Sequence, residues 1–165
     1  MAYAERTFVE RSPSARLARL LQRLATAAIA VAAWGCATDG PRDPAGVPIT
    51  NALAALESGE IRLACAASCA GSYGACRKLL RARYDRQQWN DLAVEVARIG
   101  YRINQSYFYL GRAAEGLGHV EAARTYYELA LASPMKCSQS EVFGTCDGLV
   151  FPDDALSRLR GLPPR

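Results

Sequence analysis

The chain has 165 residues, 50% of them hydrophobic and 22% charged, with a formal net charge of +4. That balance excludes a wholly disordered chain and a polytopic membrane protein, and fits one globular domain. Five arginines against Glu5 and Glu10 supply +3 of that charge within the first 35 residues, so the rest is nearly neutral and gives no support to a nucleic-acid partner.

In chain order, Arg6, Arg11, Arg16, Arg19 and Arg23 precede an uninterrupted apolar run from Leu24 to Gly35. A positive stretch before a short apolar run predicts a secretory signal peptide, and twelve residues are too few to span a bilayer. Cys36 follows Ala33-Trp34-Gly35, a stretch that resembles the lipobox of bacterial lipoproteins. The resemblance implies a lipid on Cys36 and, with Ala37 rather than Asp next, sorting to the outer membrane facing the periplasm. Cleavage after Ala37 instead would give a soluble periplasmic or secreted protein. The expected organisation is a signal at 1–35, a Gly/Pro/Asp-rich tether at 36–48 and a helical domain at 49–165.

Within that domain a first capping helix is expected around Asn51–Ser58. In Gly59 to Cys65, the apolar Ile61, Leu63 and Cys65 alternate with Arg62 and Ala64, which reads as a strand. Its expected partner is the apolar run from Gly148 to Phe151, a two-strand pair tying the domain's ends together, with two apolar loops tucked under helices as the alternative. Tyr73 to Ile99 reads as a helical hairpin turning near Asp85-Arg86-Gln87-Gln88. Tyr107, Leu110, Gly111, Ala114 and Leu117 form one helical stripe, and Val120, Ala123, Tyr127, Ala130 and Leu131 a second. Gly118 suits the left-handed residue between them, and Gly111 is expected to face Ala123 at a close helix crossing. A short helix around Asp153–Arg160 closes the domain.

The segment YFYLGRAAEGLGHVEAARTYYELALASP, Tyr107 to Pro134, resembles a tetratricopeptide repeat (TPR). Tyr107, Leu110-Gly111, Ala123 and Tyr127 hold the motif's slots, Ala114 stands where Tyr is usual, and Pro134 comes one residue early. A shift of 31 residues places Leu79 on Leu110, Trp89 on Val120, Leu92 on Ala123, Val96 on Tyr127 and Ile99 on Ala130, a degenerate upstream copy. The resemblance implies a mainly α fold, a short TPR-like stack of antiparallel helical hairpins that binds another protein. In that family the first helix of each hairpin lines the concave surface. Carried over, this assigns Gln105, Phe108, Arg112 and Glu115, with Arg77, Arg81 and Tyr84 upstream, to a groove for a partner peptide. Arginines interleaved with aromatics suit an extended acidic segment or a C-terminal carboxylate.

Six cysteines agree with an oxidising compartment. Cys137 and Cys146 bracket a polar loop and are the first choice for a local disulfide; Cys65 and Cys69, a C-x3-C, are the second. A bridge from Cys65 or Cys69 to the C-terminal pair stays open. Cys76, in the large-residue slot of the first repeat helix, is expected to be a small buried free thiol. No metal site is expected, because Cys65-x3-Cys69 lacks a second tight pair. The sole histidine, His119, falls in a turn without a catalytic partner, and no phosphate-binding loop or other cofactor motif is present. These features point to a non-enzymatic scaffold holding another protein of the bacterial envelope. The alternative is a thiol-active periplasmic protein using Cys65, Cys69 or Cys76.

Overall fold

A computed structural model describes residues 50–140 and 144–164, all within the unit Cys36–Arg165. The expected signal, the lipidation of Cys36 and the tether lie outside the described residues. What is described is mainly helical: α1 (Ala52–Glu57), α2 (Ala70–Asp85), α3 (Trp89–Ile99), α4 (Asn104–Gly116), α5 (Val120–Ala132) and α6 (Asp153–Gly161), with a short 3-10 turn at Ala67–Cys69 before α2. No helix among the described residues is long and apolar enough to cross a membrane.

Two consecutive hairpins, α2–α3 and α4–α5, pack one against the next, and the core runs through both. The first turns through Arg86 and Gln87, the latter at φ +57. Gly100 stops α3 in the left-handed region at φ 69, and a three-residue link leads to α4. The second hairpin turns at Gly118, φ 86. A Cβ placed on Gly111 would stand 2.6 Å from two ring carbons of Tyr127, so the residue that demands a glycine there is Tyr127 on α5, not Ala123. Sequence reasoning missed a second such contact: a Cβ on Gly116 would come within 2.2 Å of the indole nitrogen of Trp89, which seats α3 against α4.

The extended segment after α1 corrects the expected β pair. Ile61, Leu63 and Cys65 are buried and alternate with the more exposed Arg62 and Ala64, as read. Their partners, however, are not at the chain's end. The Ile61 and Leu63 amides donate to the hydroxyls of Tyr126 (3.2 Å) and Tyr107 (3.1 Å), and Cys65 bridges Tyr101 in the link between hairpins. With donors already satisfied by tyrosine side chains, no second strand is needed. Gly148–Phe151 is a turn leading into α6, begun by Asp147 and Gly148 at φ 52 and 82.

Both local disulfides are formed: Cys65–Cys69 with Cα atoms 5.9 Å apart, and Cys137–Cys146 at 5.1 Å. The expected free thiol is corrected. Cys76 is buried as anticipated, 1% exposed, but it is disulfide-bonded. A free thiol follows from an odd cysteine count, which arises when Cys36 is lipidated or cut away.

Candidate binding groove

The first helices of the two hairpins, α2 and α4, meet through polar and aromatic side chains. The Tyr73 hydroxyl donates to Gln105 Oε1 at 2.6 Å, and the Tyr84 ring lies 6.2 Å from Phe108 and 5.5 Å from Tyr109. Over this face runs the segment from Cys146, which brings Arg77, Arg81, Gln105 and Phe108 of the sequence-predicted groove together on one object, part of the chain itself. Tyr84, Arg112 and Glu115 make other contacts.

Asp147 is the centre of that contact. Arg77 pairs with its carboxylate at 3.1 Å, and an Arg81 guanidinium nitrogen donates to its backbone carbonyl. Gln105, fully buried on α4, donates through Nε2 to the Cys146 carbonyl at 3.0 Å and reaches the Asp147 carboxylate at 3.3 Å and the Tyr109 hydroxyl at 3.2 Å. Arg81 is itself held by Asp85 one turn on, 2.9 Å from Nε, and lies over the Tyr84 ring at 5.2 Å. An ammonium would make only part of this set; the planar guanidinium addresses carboxylate, carbonyl and ring at once.

Four residues later, Phe151 meets Phe108 edge-on at 5.6 Å. Phe108 also touches Tyr127 at 5.8 Å and is 1% exposed. The expectation that Phe108 and Gln105 open to a partner is corrected: both are buried, because a segment some forty residues later covers them. Beyond Phe108 lies Glu115, which accepts from Arg112 at 2.7 Å and from the Tyr127 hydroxyl and pairs with Arg158 of α6 at 3.5 Å. Arg112 points away from the covering segment's acidic end: its guanidinium stands over Trp89 at 5.4 Å and Tyr84 at 5.9 Å. Between α4 and α6 a cavity of about 280 Å³ stays open, lined by Tyr84, Phe108, Glu115, Asp154 and Arg158 among others.

Burial pushes the Tyr73 hydroxyl well up, helped by Tyr109 and Asp147, and raises Tyr109 by burial and then by Asp147. Tyr127 is raised by burial and by the Glu115 carboxylate it serves. These phenols stay protonated: Tyr73 donates to Gln105 and Tyr127 to Glu115, while Tyr109 accepts from Gln105. His119 sits at the start of α5, in the hairpin turn as read. Among the described residues no group of three or more His, Cys, Asp or Glu could hold a metal ion.

Sequence reasoning missed Asp147, Phe151 and Arg158. A signal was present: an Asp-Gly turn directly after a cysteine, then an apolar Leu-Val-Phe run with no periodicity of its own, is a segment that must lie against something. No protein-family model, curated protein or solved structure matches the chain.

Proposed function

We propose that this protein is a non-enzymatic interaction module, a short TPR-like stack of two hairpins exported to the cell envelope, where its α2–α4 face grips an extended segment of a partner protein. One observation carries the reading: Arg77, Arg81, Gln105 and Phe108, drawn from both hairpins, converge on a single stretch of irregular backbone and hold it by carboxylate, carbonyl and ring. Arginine forks and aromatic pockets are the usual anchors of peptide recognition. Described cysteines that are nine-tenths buried or more support structural bridges over a thiol-exchange role, which needs an accessible sulfur.

Export is supported by the arginine-flanked apolar run and by the disulfides. Cleavage before Cys36, with a lipid on its thiol, and cleavage after Ala37 leave different N-termini on the mature protein. Mass spectrometry of the mature protein separates the two: a diacylglyceryl mass on an N-terminal Cys36 makes it a membrane-anchored scaffold, and an N-terminus at Thr38 makes it a soluble exported one.

The test of the function is site-specific photo-crosslinking in the native envelope. A photoreactive residue at Ser157, exposed beside the open cavity, should trap one identified protein. The same probe at Val94, 41% exposed on the outer face of α3, should not. Equal trapping from Val94, or none from Ser157, removes the groove as the interaction surface.

A further inference from the structure

The segment that fills the groove has the chemistry of a ligand more than of a core element. Asp147 keeps an 18% exposed side chain, Val150 is 49% exposed, and Pro152 and Asp153 are exposed. Its hold on α2 and α4 comes from one ion pair, hydrogen bonds to its backbone and one aromatic ring. Of its own side chains only Cys146 and Leu149 are buried in the core, whereas α1 to α5 bury the bulk of the apolar side chains. It is also tethered: the Cys137–Cys146 disulfide fixes its start beside the end of α5.

Resting on the function proposed above, we infer that residues 146–151 are a built-in ligand, and that the external partner presents the same pattern: a carboxylate, a sharp turn and an aromatic four residues on. The carboxylate takes Arg77, the carbonyl of the same residue takes Arg81, the preceding carbonyl takes Gln105, and the ring stands on Phe108. Tethering gives the internal copy an effective concentration that a free segment must overcome. The resting protein is therefore self-occupied. A partner gains entry by offering a better version of the pattern, with the open cavity between α4 and α6 as the space for its next side chains.

The probe is a fluorescein-labelled synthetic peptide of residues 145–157 carrying Cys146→Ser, titrated by anisotropy against the full mature chain with its disulfides intact. Against wild type, weak or no binding is expected. Against Asp147→Asn with Phe151→Ala, whose own segment is loosened, binding should tighten on the order of a hundredfold, the scale of a lost tether advantage. Adding Arg81→Ala to that variant should abolish it, and a peptide with the same Asp and Phe changes should not bind. Equal binding to wild type and variant, or none to a variant with native helical signal, overturns the inference. If the double variant loses its helical signal, Asp147→Asn alone is read the same way; if that also unfolds, the segment is part of the core and the inference is wrong. The two proposals fail separately: a partner trapped from Ser157 with no peptide binding leaves the groove but rejects the pattern. Peptide binding without a trapped partner does the reverse.

Discussion

Replacing Gln105 by Leu keeps its bulk and removes every hydrogen bond it makes. The Tyr73 hydroxyl then loses its Gln105 acceptor and the Cys146 carbonyl keeps only the Leu149 amide, and each lost bond costs about 0.5–1.5 kcal/mol. Urea unfolding should show the loss as a lower midpoint; an unchanged midpoint would mean that Gln105 does not hold the covering segment. Gly111→Leu drives a side chain into the Tyr127 ring and should cost at least about 1–3 kcal/mol, visible as a lower melting temperature. Gly111 was legible because Leu-Gly falls on a helical stripe facing a second stripe. Gly116 was not, since its partner Trp89 belongs to the other hairpin and no local pattern links them. The burial of Phe108 was hidden for a related reason. Helical periodicity says which face a residue is on, but not that an aperiodic segment some forty residues later will cover that face.

At the scale of elements, boundaries and turns were readable because they are local. The helix opening near Asn51, which caps it, and the left-handed Gly118 each follow from a residue's own preferences, whereas Gln87 at φ 57 adopts a conformation its side chain does not favour. The 59–65 segment shows the limit. Alternation correctly put Ile61 and Leu63 inside, but the choice of hydrogen-bond partner depended on two tyrosines, Tyr107 and Tyr126, at long separation. Tyr126→Phe removes both the acceptor for the Ile61 amide and the donor to the Ala55 carbonyl. It should destabilise the docking of α1 and its following segment by about 1–3 kcal/mol. Hydrogen exchange should then speed at residues 55–63 and remain slow in α4; uniform acceleration would place the loss elsewhere. The Cys137–Cys146 bridge closes a short loop, so its removal should cost near the lower end of about 2–4 kcal/mol. Unreduced peptide mapping should find these two cysteines joined to each other.

For the whole molecule, the phenols make stability depend on alkaline pH. Tyr73, Tyr107, Tyr109, Tyr126 and Tyr127 all have hydroxyls raised above the ordinary value of 10.0, each chiefly by burial. A folded-state value above the unfolded one means the contribution is complete below pH 10 and is lost as pH climbs through the folded values. Tyrosinate absorbance should therefore rise late and together with loss of helical signal. Early titration of all tyrosines with the helices intact would contradict their burial. These rings come from α2, α4 and α5, so ionising them attacks both hairpins and the seam between them.

That seam also carries a spectroscopic label. Trp89 is the only tryptophan among the described residues, and the other, Trp34, lies in the segment expected to be removed on export. Its indole is pressed on Gly116 of the next hairpin, beneath the Arg112 guanidinium and edge-on to Tyr84 at 6.3 Å. Tryptophan emission from a chain beginning at Cys36 reads one place, where the first hairpin meets the second. A red shift that precedes the loss of helical ellipticity would mean that the hairpins part while each is still wound. Coincident changes would mean that neither hairpin outlives their contact.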